Sequence, residues 1–176
     1  MNRNAVRKIQ VSGFLTLALF LVATLSATQN NGGAAPATND ASQATSVSYE
    51  NLKWQSIVPA LGKDSPEITI LRIDPKTQAT QLLIRTPTRM HVPAHWHSAN
   101  ETHTMIKGNF VFEHDGKRSE LGPGGFNYMP AKMPHQAWSS EGAVVLITVD
   151  GAWDVNWVGD PPGKNDLGQS PPSASK

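Results

Sequence analysis

The sequence predicts an all-β fold, and three observations support this prediction. Between residues 49 and 159 we find no stretch with the 3.6-residue apolar period of an amphipathic helix. Short β-prone runs recur instead, at intervals of about 8 to 15 residues. The 14 Gly and 13 Pro residues indicate many turns between them. This pattern is typical of a single-domain sandwich or barrel.

The individual strands are predicted from runs rich in β-branched and aromatic residues. Seven runs qualify, at residues 52–58, 68–73, 81–86, 102–106, 110–114, 126–129 and 143–149. Asp115-Gly116 is a two-residue hairpin signal, so the run at 110–114 is expected to pair with a strand at 117–121.

The first 27 residues read as a secretory signal helix. Arg3, Arg7 and Lys8 form a basic start, and an apolar run follows at residues 14–25. Those 12 residues span roughly 18 Å as a helix, well short of the ~30 Å hydrocarbon core. We therefore predict a cleaved signal at 1–27 and a periplasmic or secreted protein. Cleavage after Ala27, cleavage after Ala37 and an uncleaved tether all remain open.

Two further segments are predicted to be disordered. Residues 28–48 are mostly Asn, Gly, Ala, Thr and Ser and form a linker, and the Pro-rich residues 160–176 form a tail. The β domain is thus expected at 49–159.

Without the three basic residues of the leader, the chain has 12 Lys and Arg and 14 Asp and Glu, which gives a net charge of −2. Nucleic acid is therefore not an expected partner, nor is a membrane after signal cleavage.

The chain contains no cysteine, which excludes disulfides and thiolate metal ligands. Its histidines are clustered, with four of six inside 13 residues: His91, His95, His97 and His103. On an extended strand His95 and His97 share one face, and Glu101 follows four residues later. A strand that folds back could add His135. Three imidazoles and one carboxylate suit a divalent transition metal such as Fe, Mn, Ni, Cu, Co or Zn.

These residues resemble the two motifs of the cupin superfamily. The first reads His95-Trp96-His97, three residues, Glu101, six residues and Gly108. The second reads Gly124, five residues, Pro130 and, five residues later, His135. Arg89, Lys132 and Ser139 depart from the family pattern at turn and outer positions. The resemblance implies a double-stranded β-helix, a jelly-roll barrel that holds one metal through His95, His97, Glu101 and His135, and often a homodimer.

The function implied is a mononuclear metal-dependent oxidoreductase, dioxygenase-like, acting on a small organic molecule. His103 faces inward if its strand continues through Glu101, which makes it the candidate catalytic acid or base. The alternatives are a histidine that only packs in the barrel, a metal that only stabilises the fold, a non-catalytic ligand or metal sensor, and a metal-dependent isomerase or lyase. Motif spacing does not separate an enzyme from a binding protein.

Overall fold

The computed structural model describes residues 8–9 and 44–172, and its strands form two antiparallel sheets. The first sheet has the order β1-β12-β5-β10-β7-β8, with β1 at Lys8–Ile9, β5 at Met90–Trp96, β7 at Phe110–His114, β8 at Lys117–Leu121, β10 at His135–Ser139 and β12 at Val155–Trp157. The second has the order β2-β3-β4-β11-β6-β9, with β2 at Gln55–Ser56, β3 at Glu67–Ile73, β4 at Thr80–Thr86, β6 at Glu101–Lys107, β9 at Phe126–Met129 and β11 at Ala143–Val149.

Neighbouring strands in each sheet are mostly distant in sequence. β10 lies between β5 and β7, and β11 lies between β4 and β6. The chain therefore passes from one sheet to the other repeatedly, which is the topology of a double-stranded β-helix. The predicted all-β jelly roll is confirmed. It places residues far apart in sequence on adjacent strands, and this brings the candidate site together.

Each predicted run contains a strand, whereas β5, β10 and β12 lie outside those runs, and one run differs clearly in length. The run at 52–58 forms a strand only at Gln55–Ser56 and is flanked by short 3-10 helices at Tyr49–Asn51 and Pro59–Asp64. The strand ends early because the backbone N–H of Val58 donates to the hydroxyl of Ser65 and does not pair with a neighbouring strand. The Asp115-Gly116 hairpin forms as predicted, and both turn residues have positive φ, as a type I′ turn requires.

The core lies between the two sheets. Its largest fully buried apolar side chains come from β4, β6, β7, β9 and β11, among them Leu82, Met105, Phe112, Met129 and Val145. Along β6 the buried residues alternate with more exposed ones, because successive side chains point to opposite faces of a strand. Glu101 and His103 therefore point inward with Met105, as the sequence predicts.

The C-terminal segment packs on the outer face of β5, although the sequence predicts a disordered tail from residue 160. Lys164–Asp166 form a 3-10 helix, and Leu167 pairs with Met90. His91 explains this contact, because its Nδ1 lies 2.9 Å from Asp166 Oδ1. His91 also stacks on Trp138, whose ring the Arg118 guanidinium covers at 5.4 Å. Trp138 is thus 5 % exposed and offers no free dimer surface.

The predicted signal helix and most of the predicted linker lie outside the described residues, and the domain boundaries stay predictions. Lys8–Ile9, within the predicted signal, pair with β12. In the described part of the chain, none of the helices has the length and hydropathy needed to cross a membrane.

Two glycines with similar φ values test how tightly the barrel is packed. Gly108 has φ 70° and Gly116 has φ 69°. A Cβ added at Gly108 would lie 2.6 Å from Ser140 Oγ and 2.9 Å from Ala143 Cα, whereas a Cβ added at Gly116 would meet neither atom. Gly116→Ala should cost about 1–2 kcal/mol from backbone strain alone. Gly108→Ala should cost about 1–3 kcal/mol more, because the clash adds to that strain. Urea unfolding of both variants measures the difference, and equal losses would contradict this packing.

Candidate metal centre

Five titratable side chains from both sheets meet inside the barrel. His95 in β5 and His135 at the start of β10 are paired directly in the register of the first sheet. Glu101 begins β6 in the second sheet, and His103 follows on the same inward face. His97 lies just after β5, in the loop that leads to β6. All five residues are between 1 % and 8 % exposed.

The side-chain ends lie within a few ångströms of one another. Glu101 Oε2 is 3.1 Å from His97 Nε2, 3.3 Å from His103 Nε2 and 3.9 Å from His135 Nε2. The ligand atoms of His95, His97 and His135 all lie within 4.8 Å of one another, and so do those of Glu101, His103 and His135. The structure thus brings together all four residues that the sequence predicts as metal ligands, together with His103.

Backbone carbonyls orient the three imidazoles that are predicted to bind metal. His95 Nδ1 lies 2.7 Å from the carbonyl of Pro93, His135 Nδ1 lies 3.1 Å from that of Met133, and His97 Nδ1 contacts that of Asp154. A carbonyl only accepts, so each Nδ1 carries the hydrogen and donates it. Each neutral ring therefore has its free lone pair on Nε2, the arrangement found in metal-binding histidines.

This tautomer leaves acceptor atoms facing one another. An imidazole in this tautomer has only a lone pair on Nε2, and Glu101 Oε2 is buried without a hydrogen-bond partner. His135 Nε2 is likewise buried and unpartnered. A buried carboxylate without a donor or counter-charge is costly. A divalent cation between these atoms would satisfy them, so three imidazoles and one carboxylate fit a transition metal on geometry as well as on chemistry.

Burial favours the neutral form of His95, His103 and His135. It is the main reason why the pKa of His135 falls from 6.5 to about 4, despite the opposing charge of Glu101. Burial, together with the neighbouring His135 and His97, holds the pKa of His95 well below its usual value. Burial also lowers the pKa of His103, against the effects of Glu101 and Asn127. Near neutral pH these imidazoles are in the form that binds metal.

Two acidic residues that the sequence did not reveal hold the loop that carries His97. Asp154 accepts hydrogen bonds from the backbone N–H of Ser98 at 2.8 Å and from its hydroxyl at 2.6 Å. Asp150 accepts from the backbone and side chain of Asn100 at 3.0 Å and 2.6 Å. These contacts join residues about 50 positions apart, so no local pattern in the sequence could have indicated them.

The second motif is tied to the first by its own loop. The backbone N–H of Lys132 donates to the carbonyl of His97 at 2.8 Å, and that of Ala131 donates to the side-chain oxygen of Asn100 at 2.9 Å. Lys132 has φ 65°, so it adopts the left-handed conformation for which the family uses glycine. Lys132 therefore departs from the motif in residue type but adopts the same turn conformation.

A cavity of about 80 Å³ adjoins the five side chains. Its walls come from both sheets, and Trp153 and Trp157 lie beside the imidazoles. The ring centre of Trp157 is 5.1 Å from that of His95, and the ring of Trp153 stacks on His97 at 6.3 Å. The centre therefore has room beside it for a small ligand and is surrounded by aromatic and aliphatic surface.

The metal-free protein should lose stability as the pH falls below about 6.5. In the unfolded chain a histidine takes up a proton near pH 6.5, whereas folded His135 stays neutral down to about pH 4. The unfolded state therefore binds more protons in this window, and each such histidine lowers the free energy of unfolding by about 1.4 kcal/mol per pH unit as the pH falls.

Urea unfolding of chelator-treated protein between about pH 7 and about pH 5 measures this slope. His135→Ala should give a shallower slope than the wild type, while His114→Ala, which removes a histidine outside the centre, serves as the control. A slope that His135→Ala leaves unchanged would show that the protonation of His135 does not oppose folding.

Comparisons with known proteins agree with this fold. The family model described as "Cupin domain" matches residues 83–150. KdgF from Halomonas sp. superposes with a TM-score of 0.50 at 16 % identity, covering 70 % of this chain and 98 % of that one. An RmlC-like cupin from Shewanella frigidimarina NCIMB 400 gives 0.52 at 17 %, covering 60 % and 89 %. A protein from Methylibium petroleiphilum PM1, provisionally named an acetylacetone dioxygenase, gives 0.53 at 16 %, covering 69 % and 87 %.

No curated protein matches the chain. At such low identities the structural likeness concerns the fold alone, and it agrees with the two-sheet topology. The matched residues 83–150 contain both motifs and all five side chains of the centre. The motifs, the topology and the family match all agree that residues 83–150 correspond to a cupin domain.

Proposed function

We propose that the protein is an exported, mononuclear metal-dependent oxidoreductase that acts on a small organic molecule. The observation that carries the proposal is the pair of buried, unpartnered atoms His135 Nε2 and Glu101 Oε2, which lie 3.9 Å apart. A divalent cation between these two atoms would give both of them a partner. His95, His97, Glu101 and His135 would hold a single divalent transition metal.

Four protein ligands leave coordination positions free on a metal that prefers five or six. When bound, a redox-active metal such as iron or copper would supply one-electron chemistry towards dioxygen and a coordinating substrate oxygen at those positions. The residues of the chain perform the remaining tasks. The carbonyl partners hold the imidazole rings in place, and the apolar cavity walls keep bulk water from the reacting groups.

His103 is the residue that we assign to proton transfer. Its Nδ1 lies 2.7 Å from Asn127 Oδ1, which fixes the ring, and its Nε2 lies 3.3 Å from Glu101 Oε2. It also lines the cavity. Because Asn127 Oδ1 accepts the hydrogen on Nδ1, the lone pair on Nε2 could take a proton from a ligand there. The same position suits proton abstraction in a metal-dependent isomerase or lyase, which is therefore the second candidate function.

The site of action and the assembly are also proposals. The apolar run at residues 14–25 and its basic start support export to the periplasm or the medium. A homodimer is supported by exposed apolar residues on adjacent strands of the second sheet, where Ile106 is 51 %, Phe126 60 % and Tyr128 52 % exposed.

Metal content is the first test of the proposal. Protein purified without chelators or a histidine tag should contain close to one equivalent of iron, copper, nickel or manganese by elemental analysis. The double variant His97→Ala, His135→Ala should lose this metal, while His114→Ala, which leaves the centre intact, should retain it. Zinc alone would favour the isomerase or lyase. A protein that holds no metal, even after reconstitution, would rule out the proposed function.

His103→Gln separates proton transfer from metal binding. We expect metal content close to that of the wild type and turnover reduced about 10²–10⁴-fold, because a glutamine amide neither accepts nor gives up a proton at neutral pH. The pH profile of kcat/KM should change at the same time. A variant that keeps full turnover would remove His103 from the reaction, and one that loses its metal would make His103 a ligand.

A further inference from the structure

The charge around the cavity limits what the centre can accept. Among the described residues that line it, Glu101 is the only one with an acidic side chain, and none is Lys or Arg. The other polar side chains are the four histidines, Thr86 and the two tryptophans. The hydroxyl of Thr86 is already engaged, because it donates to the carbonyl of Ser140 at 3.2 Å.

The cavity wall away from the centre is apolar. In β11, Val149 pairs with Glu101, and Val145 lies four residues earlier on the same face, two residues beyond Ile147, which pairs with His103. Val145 pairs with Ile84 of β4. In the other sheet, Phe110 of β7 pairs with Ser139, which lies four residues after His135 in β10. Phe110 is therefore displaced from His135 along the sheet by the same number of residues. Val145, Ile84 and Phe110 all line the cavity and form what we call the distal wall.

The distal wall gives no compensation to a charged group. A carboxylate or phosphate that entered with the substrate would be buried against Ile84, Val145 and Phe110 with no cation beside it. Burying an unpaired charge costs several kcal/mol. An uncharged alkyl group placed there loses only its contact with water, which favours binding.

The volume sets a second limit. A dry cavity of about 150 Å³ holds benzene, and this one measures about 80 Å³. Large planar substrates of the flavonol type are therefore too big for it. The group that occupies the cavity must be shorter and slimmer than an aromatic ring.

We infer that the substrate is a small molecule with one chelating oxygen-bearing end and an otherwise uncharged, apolar body of only a few carbon atoms, and that Ile84 in the distal wall sets the length of that body. This inference deepens the proposed function and rests on it, since the chelating end is assumed to reach the metal. Sugar acids and other substrates with a second anionic group are excluded.

Two nearly isosteric hydroxamates test the charge limit. Isovalerohydroxamic acid ends in two methyl groups, and malonic monohydroxamate has a carboxylate in their place, while the chelating end is the same. Isothermal titration of the metal-containing protein should show the neutral probe binding at least about ten-fold more tightly. The double variant His97→Ala, His135→Ala should bind neither probe. Equal affinity for the two probes, or a preference for the carboxylate, would overturn the inference.

Caprylohydroxamic acid, which has a longer chain, tests the length limit. The wild type should bind it at least about ten-fold more weakly than isovalerohydroxamic acid, and Ile84→Ala should recover most of this difference. Leu83→Ala is the matched control, because Leu83 is the next residue in β4 and points to the opposite face. Strong binding of the long probe by the wild type, or an equal gain in Leu83→Ala, would overturn the role of Ile84.

Elemental analysis of the same protein samples separates this inference from the proposed function. Protein that contains metal but does not discriminate between the probes leaves the oxidoreductase proposal intact and overturns the substrate inference alone. Protein that contains no metal overturns both, because the chelating end then has nothing to bind. Protein that contains metal and binds no hydroxamate also contradicts the inference, since it shows that ligands do not enter the cavity.

Discussion

The arrangement on which the rest of the site depends is a set of buried acceptors that face one another. Carbonyls fix the hydrogens of three imidazoles on Nδ1, so that their Nε2 lone pairs converge with Glu101 Oε2. In a metal-free protein this arrangement costs stability, because Glu101 Oε2 and His135 Nε2 are buried without a hydrogen-bond partner. The surrounding barrel must supply that free energy through its apolar core and its two hydrogen-bonded sheets.

The jelly-roll topology makes such an arrangement available. β5 and β10 place His95 and His135 side by side, whereas Glu101 and His103 belong to the opposite sheet. Neither sheet alone could build the centre. The loop between β5 and β6 has to place His97 between the sheets, and hydrogen bonds to Asp150 and Asp154 hold that loop. The position of His97 therefore depends on residues outside the candidate ligand set.

Much of the fold could be predicted from local patterns. The alternation in residues 102–106 and the hairpin at Asp115-Gly116 depend on neighbouring residues and were read correctly. The spacing of His95, His97 and Glu101 indicated a shared site for the same reason. Asp154 was not predicted, because its role depends on a contact between distant segments. Asp166 was placed in a disordered tail, since its contact with His91 has no signature in a Pro-rich sequence.

Metal binding and folding should be coupled in this protein. The facing acceptors exist only in the folded barrel, so a cation that binds there binds the native state and not the unfolded chain. Its binding then adds RT ln(1 + [M]/Kd) to the free energy of unfolding, where M is the free metal. A chain that crosses the membrane unfolded would acquire its metal where it folds. If the protein is exported, the identity of the bound metal therefore depends on which metals are available outside the cytoplasm as much as on the donor set.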